Sequence, residues 1–419
     1  MFGKFLRTVL ARGEKAEAGI SQALRRYAEG DAAAAEVCCE QRLVAAPGDL
    51  DALCLLALTR EALGERAFAR EAWTRVLALD PAHAEALCAI GEPARATGLR
   101  RGTGESAESI GRRLHTACEM VSFWAQQDRL WRHGIARDPR IPLPVWDGGP
   151  LAGRHILLHS MRGFGDTINF VRFASALAAR GAVVHLECGR PLHRLFASCA
   201  GVAEVVETGA PHVARGCDLQ APLVTLLRHL FFAELNCARG AYLKADEEDV
   251  TAWEQRLADL RGLRVGLCWA GDSANRNDAR RSVAIAAIEP LLSVPGTHWV
   301  SLQKGPASAQ LAPFIQAGIN DWTDELADFA DTAALIARLD LVVSVDTAVA
   351  HLAGALGKPV WVLCARDLDR RWEVLDDTRR LYPQVRLFRQ SEPADWRAPV
   401  AAAAASLSAE IAKRSSAHS

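Results

Sequence analysis

At 419 residues the chain exceeds one typical hydrophobic core, so two or three domains are expected. Half of its residues are hydrophobic and its formal net charge is −1, which leaves ample core material and excludes a global basic field directed at nucleic acid or membrane. Eleven cysteines without a CxxC pair indicate neither a zinc site nor a disulfide framework, and fit free thiols in a reducing cytoplasm.

Met1 to Arg12 is basic and amphipathic, but Arg7 interrupts the apolar run, which continues into Glu14, Lys15 and Glu17. It reads as a short helix packing on the next domain, not as a signal peptide, and no stretch of the chain is long enough for an integral membrane segment. From about residue 16 to 100 there is an internal period. Gly30, Gly64 and Gly98 are spaced by 34 residues, as are Pro47 and Pro81, and the intervals are Ala- and Leu-rich with helical spacing. In the stretch Leu63 to Pro81, Gly64 falls at a turn, Ala69 at a tight helix crossing and Trp73 at a large aromatic position, and the pattern resembles the tetratricopeptide repeat (TPR). The copy from Gly30 to Pro47 is weaker, and the third, after Gly98, loses its second-helix signature at Arg100 to Gly104. Two repeats and a degenerate third, residues 1–110, must stack on something to bury their end. Such arrays usually offer a groove to a peptide or protein; a purely structural docking unit is the alternative.

Residues 111–150 read as helical and then Pro-rich. One or two helices carry Leu114, Cys118, Val121, Trp124 and Ala125 on one face. Asp138 to Pro150, with four prolines and two glycines in thirteen residues, reads as extended linker.

From His155 the pattern alternates between strands and helices. Strands are expected at His155–His159, Ala182–Glu187, Val202–Val206 and Asp218–Gln220, with a helix through about Arg180 after the first. A second series follows at Arg264–Ala270, His298–Leu302, Leu339–Ser344 and Pro359–Cys364. The polar stretch 244 to 262 separates the series, so two doubly wound domains are expected, at 151–255 and 256–390, and an Ala-rich helix and tail at 391–419. Ligands of such sheets lie beyond the carboxyl ends of the strands.

Four loops sit there. In the first, Gly163 and Gly165 turn the backbone toward a helix and Asp166 stands at its start, as a general base or as a plain N-cap. Gly163-Phe-Gly165 with Glu187 also forms an incomplete dinucleotide fingerprint that lacks its third glycine. The second loop, Gly271 to Ser282, holds Arg276, Arg280 and Arg281. The third places Lys304 directly after a strand. In the fourth, the strand Leu339–Ser344 ends at Asp346-Thr347-Ala348, where a helix begins; Asp346 or Thr347 is a good N-cap, and the N–H groups beyond form a ready phosphate site. Neither Asp49 with Asp51 nor Asp367 with Asp369 makes a persuasive metal site.

Residues of about 150 to 400 resemble the heptosyltransferase-type glycosyltransferases of family 9, in the version attached behind tetratricopeptide repeats. The match is carried by Asp331 to Pro359, with support from Gly163-Phe-Gly-Asp166, the Trp269-Ala-Gly271 loop and its arginines, Ser301-Leu-Gln-Lys-Gly305 and Arg386-Leu-Phe-Arg-Gln390. The resemblance implies TPR-like helices followed by a GT-B fold of two Rossmann-like domains, acceptor on the first and nucleotide-sugar on the second. It implies inverting, metal-independent transfer from a nucleoside-diphosphate sugar, without other cofactor, to a protein or glycan hydroxyl selected in part by the repeat groove. Asp166 is then the base; Arg280 or Arg281 grips phosphate; Thr347 and Ala348 contact the diphosphate, with His351 one helical turn further in. After Cys364 the chain departs from the family, reading Ala365 to Trp372 and then Thr378 to Pro383 where the family has an aromatic, proline-rich loop. The alternative reading is a non-catalytic TPR scaffold with a vestigial transferase fold.

Overall fold

The computed structural model describes residues 19–98, 106–136, 138, 140–160, 163–210, 216–234, 240–275, 278–315, 318–366, 372 and 382–417. The described residues before Arg132 form helices whose ends are written in the sequence. Helices α1 (Ile20–Glu29), α2 (Ala32–Ala45), α3 (Leu50–Ala62), α4 (Arg66–Leu79), α5 (Ala84–Ile90) and α6 (Pro93–Thr97) follow one another, and α7 (Ala107–Arg132) succeeds them. Asp31 and Asp49 accept the backbone N–H groups of Ala34 and Ala52, each at 3.1 Å, which starts α2 and α3. The 34-residue spacing of Gly30, Gly64 and Gly98 is realised as three residues of positive φ at helix ends, a conformation that glycine adopts without strain.

The chain divides into two units, residues 1–150 with 214–233 and residues 151–213 with 234–419. In the first, Leu53, Leu55, Leu56, Trp73, Val76 and Trp131 belong to one buried cluster. The single helix α7 buries apolar residues at Val121, Trp124 and Ala125 as expected, while Leu114 and Cys118 are only half-buried. Its last turns are charged yet buried. Arg129 forms a two-pronged pair with Glu85 at 2.7 and 2.9 Å, and Arg132 pairs with Asp51 at 2.7 and 2.9 Å and with Asp128 at 2.8 Å. Arg228, on the helix Leu223–Glu234, also holds Asp128. Opposite charges at this depth are tolerable only because each is paired and hydrogen-bonded.

The proline-rich segment expected as a linker is extended but packed. Ile141 and Trp146 are buried, and the Gln220 side chain donates to the carbonyls of Ile141 and Leu143 at 2.9 and 2.6 Å. Prolines leave those carbonyls as acceptors without a local donor, which one amide supplies.

The second unit holds two parallel runs of strands. In the first, β1 (His155–His159), β2 (Val183–Cys188) and β3 (Val202–Glu207) lie in the order β3-β2-β1. Between β1 and β2 stand two short helices, α8 (Phe164–Phe170) and α9 (Phe173–Ala179), where one helix was expected. Arg172 Nε donates to the Asn169 carbonyl at 2.8 Å, taking the acceptor that the N–H of Phe173 would use in a continuous helix. After α10 (Glu247–Arg256), capped by Asp246, come β4 (Leu263–Cys268), β5 (Thr297–Ser301), β6 (Leu341–Val345), β7 (Val360–Cys364) and β8 (Val385–Arg389), all parallel in the order β5-β4-β6-β7-β8. Every residue of β6 and β7 is buried, the signature of strands covered on both faces. The helices α11 (Phe329–Ala337), α12 (Ala348–Ala355) and α13 (Arg397–Ala417) complete this half. Among the described residues no helix is long and apolar enough to cross a membrane.

Candidate active site

The buried strand β6 delivers Val345, Asp346 and Thr347 to its carboxyl end, and Thr347 takes the N-cap position of α12 in an extended conformation. Its hydroxyl does not cap the helix. It turns down to Ser344 Oγ at 2.9 Å and faces Cys268 Sγ at 3.8 Å. No side chain caps α12 among the described residues, so the N–H groups of its first turn keep their capacity for an anion. Asp346 is half-buried beside them and accepts the Trp372 indole N–H at 3.2 Å.

Gly163 and Gly165 serve different ends. A side chain at Gly163 would meet nothing within 4 Å, whereas a Cβ at Gly165 would lie 3.1 Å from His351 Cδ2 and 3.4 Å from Ala348 Cα. Gly165 is therefore the close-packing residue that lets α8 approach the start of α12. This brings Asp166, half-buried in the first turn of α8, onto the helix that faces Ala348 and His351.

His351 is 4 % exposed. Its Nδ1 lies 2.9 Å from Tyr382 Oη and 3.4 Å from Asn169 Nδ2, and Asn169 Nδ2 also donates to Tyr382 Oη at 2.7 Å. Trp372 stacks on the imidazole at 5.1 Å between centroids and 18°. The Nε2 atom faces Asp346 Oδ1 at 3.7 Å. Below this layer the Arg172 guanidinium lies between the rings of Tyr242 and Tyr382, 4.5 and 4.9 Å from their centroids, and donates to Tyr242 Oη at 3.1 Å. Burial pushes the Tyr242 phenol well above its ordinary value, which keeps its proton available for the Ile168 carbonyl at 2.9 Å.

The basic residues of these loops differ in what they bind. Lys304 Nζ donates to two backbone carbonyls, of Thr323 at 2.9 Å and of Leu326 at 2.5 Å. Its ammonium closes a turn instead of standing open. Arg281 lies against Asp278 at 3.4 Å and covers Gly271, where a Cβ would sit 2.5 Å from its Nη2. Arg280 is exposed and makes no ion pair with a described residue; Arg276 falls outside the described residues. Beside Gly271 a cleft of about 350 Å³ is lined by Ser273, Asp278, Ser282, Ala307 and Gln310 among others.

Sequence reasoning named the Ser301-Leu-Gln-Lys-Gly305 stretch for its lysine, but Gln303 is its organising residue. Its Oε1 accepts from the N–H groups of Trp269 and Ala270 at 3.0 and 2.8 Å, and its Nε2 donates to the Lys304 carbonyl at 2.9 Å. Asn169, Arg172, Tyr242 and Tyr382 were not singled out either. The only trace of the aromatic layer was the departure from the family after Cys364, which contains Trp372 and Tyr382.

Glu187, the candidate ribose ligand of the dinucleotide reading, is buried and accepts the Gly209 N–H at 3.0 Å. Among the described residues one His/Cys/carboxylate cluster has metal-ligand proximity, Cys54 with His83 and Glu85. Glu85 is already taken by Arg129, and His83 Nδ1 accepts the Ala86 N–H at 3.4 Å, so that cluster is accounted for by helix capping and an ion pair.

Residues 315–378 match the family model of glycosyltransferase family 9 (heptosyltransferase). The matched stretch holds α11, β6, the Asp346–Thr347 turn, α12 and β7. Protein FlbA of Caulobacter vibrioides is 29% identical over 300 residues, which is 65% of this chain and 50% of FlbA; the chain thus spans about half the length of the curated relative it matches. Among solved structures, the E. coli ADP-heptose lps heptosyltransferase II is similar at 14% identity, with a TM-score of 0.47 over 62% of this chain and 99% of that one. A family 9 glycosyl transferase from Veillonella parvula is similar at 11% identity, with a TM-score of 0.44 over 58% and 87%. The architecture described above stands on its own strand order and register, not on these likenesses.

Proposed function

We propose that the chain is an inverting, metal-independent glycosyltransferase that moves a sugar from a nucleoside-diphosphate donor to a hydroxyl of a protein or glycan. The observation that carries the reading is the family 9 match over residues 315–378, which falls on a strand-turn-helix whose first-turn N–H groups have no side-chain cap. In this reading α12 and Arg280 hold the diphosphate, and Asp166 accepts the proton of the attacking hydroxyl as it closes on the anomeric carbon. One cation at contact distance is worth roughly 4 kcal/mol per charge pair at an effective dielectric near 20, before desolvation, against about 0.3–1 kcal/mol for a helix terminus. With Lys304 and Arg281 engaged elsewhere, Arg280 is the described cation of these loops that remains for the phosphates, with Arg276 as a second candidate from its sequence position.

The helical unit is assigned the acceptor. Val44 on α2 is 86% exposed, and Phe68 and Leu79 on α4 are 56% and 52% exposed, which leaves apolar side chains open to an acceptor in this reading. The free thiols support a reducing cytoplasm as the place of action. Calorimetric titration with ADP, GDP, UDP and CDP in EDTA, and separately with NAD, tests the assignment. Binding of a nucleoside diphosphate without metal is expected. Binding of none of them would favour the scaffold reading, and binding of NAD alone would favour the dinucleotide reading.

A further inference from the structure

We infer that Asn169 and Tyr382 are positioning residues that hold His351 as a fixed hydrogen-bond donor, with its proton on Nε2, toward the diphosphate end of the donor substrate. The inference rests on the glycosyltransferase reading for its ligand, but its first step rests on geometry alone. Asn169 Nδ2 donates to Tyr382 Oη at 2.7 Å and lies 3.4 Å from His351 Nδ1. Tyr382 Oη accepts that bond and keeps its own proton, which in our reading goes to His351 Nδ1 at 2.9 Å. With the Tyr382 proton directed at it, Nδ1 is the unprotonated ring nitrogen, and Asn169 fixes the hydroxyl that covers it. The proton sits on Nε2, which faces the Asp346–Thr347 turn with Asp346 Oδ1 at 3.7 Å.

The surroundings hold the ring in that orientation. Trp372 stacks on its face, and the indole N–H binds Asp346 Oδ1 at 3.2 Å. Tyr382 lies against Gly354, where any side chain would overlap its ring. The arrangement has a mechanistic consequence. A histidine whose Nδ1 accepts from Tyr382 and whose Nε2 is protonated cannot take a proton from an acceptor hydroxyl. It can only give a hydrogen bond, which suits an oxygen that gains negative charge as the nucleoside diphosphate departs.

The test uses the full chain labelled with ¹⁵N-histidine and long-range ¹H–¹⁵N correlation spectra. His351 is assigned by its loss in His351→Gln and by contacts of its ring protons with the Tyr382 ring. The wild type is expected to show the Nε2–H pattern, and the nucleoside diphosphate that binds is expected to perturb His351 Nε2. Tyr382→Phe keeps the ring on Gly354 but removes the donor to Nδ1, so the two tautomers are expected to mix and nucleoside-diphosphate affinity to fall about tenfold, the weight of one hydrogen bond to a charged group. An Nδ1–H pattern in the wild type overturns the inference. So does a nucleoside diphosphate that binds without perturbing His351 and binds Tyr382→Phe equally well. If no nucleoside diphosphate binds at all, the glycosyltransferase reading falls and the ligand part of this inference with it, while the wild-type spectrum decides the tautomer separately.

Discussion

Tyr382 occupies the space that a side chain at Gly354 would need: a Cβ built on that glycine lies 2.4 Å from the Tyr382 Cγ and Cδ1 atoms. Because Cγ is the root of the ring, the tyrosine cannot swing clear by a change at its far end. Gly354→Ala gains about 1 kcal/mol of helix propensity within α12 and meets an overpacking cost of typically 1–3 kcal/mol. The net expectation is a destabilised protein whose His351 loses its Tyr382 contact, read as a lower urea midpoint at unchanged m-value.

The two glycines of the first loop should respond oppositely. Gly165→Ala forces α8 away from Ala348 and His351 and is expected to destabilise by about 1–3 kcal/mol. Gly163→Ala introduces a methyl into open space at a φ of −63° and should leave the melting temperature within error. Equal effects at both positions would mean that the loop uses its glycines for flexibility and not for close packing.

Asp166→Asn removes the proton acceptor but keeps the shape of the first turn of α8. Turnover on the native acceptor should fall by about 10²–10⁴-fold, the usual scale of general-base assistance, with nucleoside-diphosphate affinity intact. An active Asp166→Asn enzyme would take Asp166 out of the mechanism.

Of the basic residues, Lys304 is held by two backbone carbonyls while Arg280 is exposed without an ion pair to a described residue. Lys304→Met should cost stability, through the Thr323 and Leu326 carbonyls it leaves unbound, more than it costs nucleotide affinity. Arg280→Ala should do the reverse. Paired melting curves and calorimetric titrations of the two variants decide it.

In the helical unit the ion-paired carboxylates Asp128 and Asp51 make stability depend on pH. Burial alone would raise Asp128, but the nearby His229 and the charges of Arg228 and Arg132 hold it at about 2. Burial likewise opposes, and His133 with Arg132 overcomes it at Asp51, which lies well below the usual range. Both folded values are depressed relative to roughly 3.9 in an unfolded chain, so their stabilisation is present above about pH 4 and is lost as pH falls toward 2. Urea midpoints measured across that window should decline steeply in the wild type and less steeply in Asp51→Asn.

Much of this architecture is legible in the residues. Runs such as Leu341 to Val345 and Val360 to Cys364 have no polar side to show to water, so a strand covered on both faces is their natural solution. The 34-residue spacing of Gly30, Gly64 and Gly98 announces helix ends because positive φ is cheapest for glycine. What stays hidden depends on pairs far apart in the chain. Nothing local marks Asn169, 213 residues from Tyr382, as the donor that orients a histidine, nor Glu85 as the partner that makes a wholly buried Arg129 tolerable. Charge type predicted cations near the strand ends, but side-chain reach let Lys304 find backbone carbonyls instead.

Gln303 links the loop after β4 to the loop after β5 through a single amide, accepting from Trp269 and Ala270 and donating to the Lys304 carbonyl. Loops that must change shape around a ligand lose affinity to their own ordering. Here two segments are ordered together during folding, before any ligand arrives, and neither can drift without breaking the two hydrogen bonds that Gln303 Oε1 accepts. They behave as one jaw, so that a ligand meeting either loop encounters the stiffness of both.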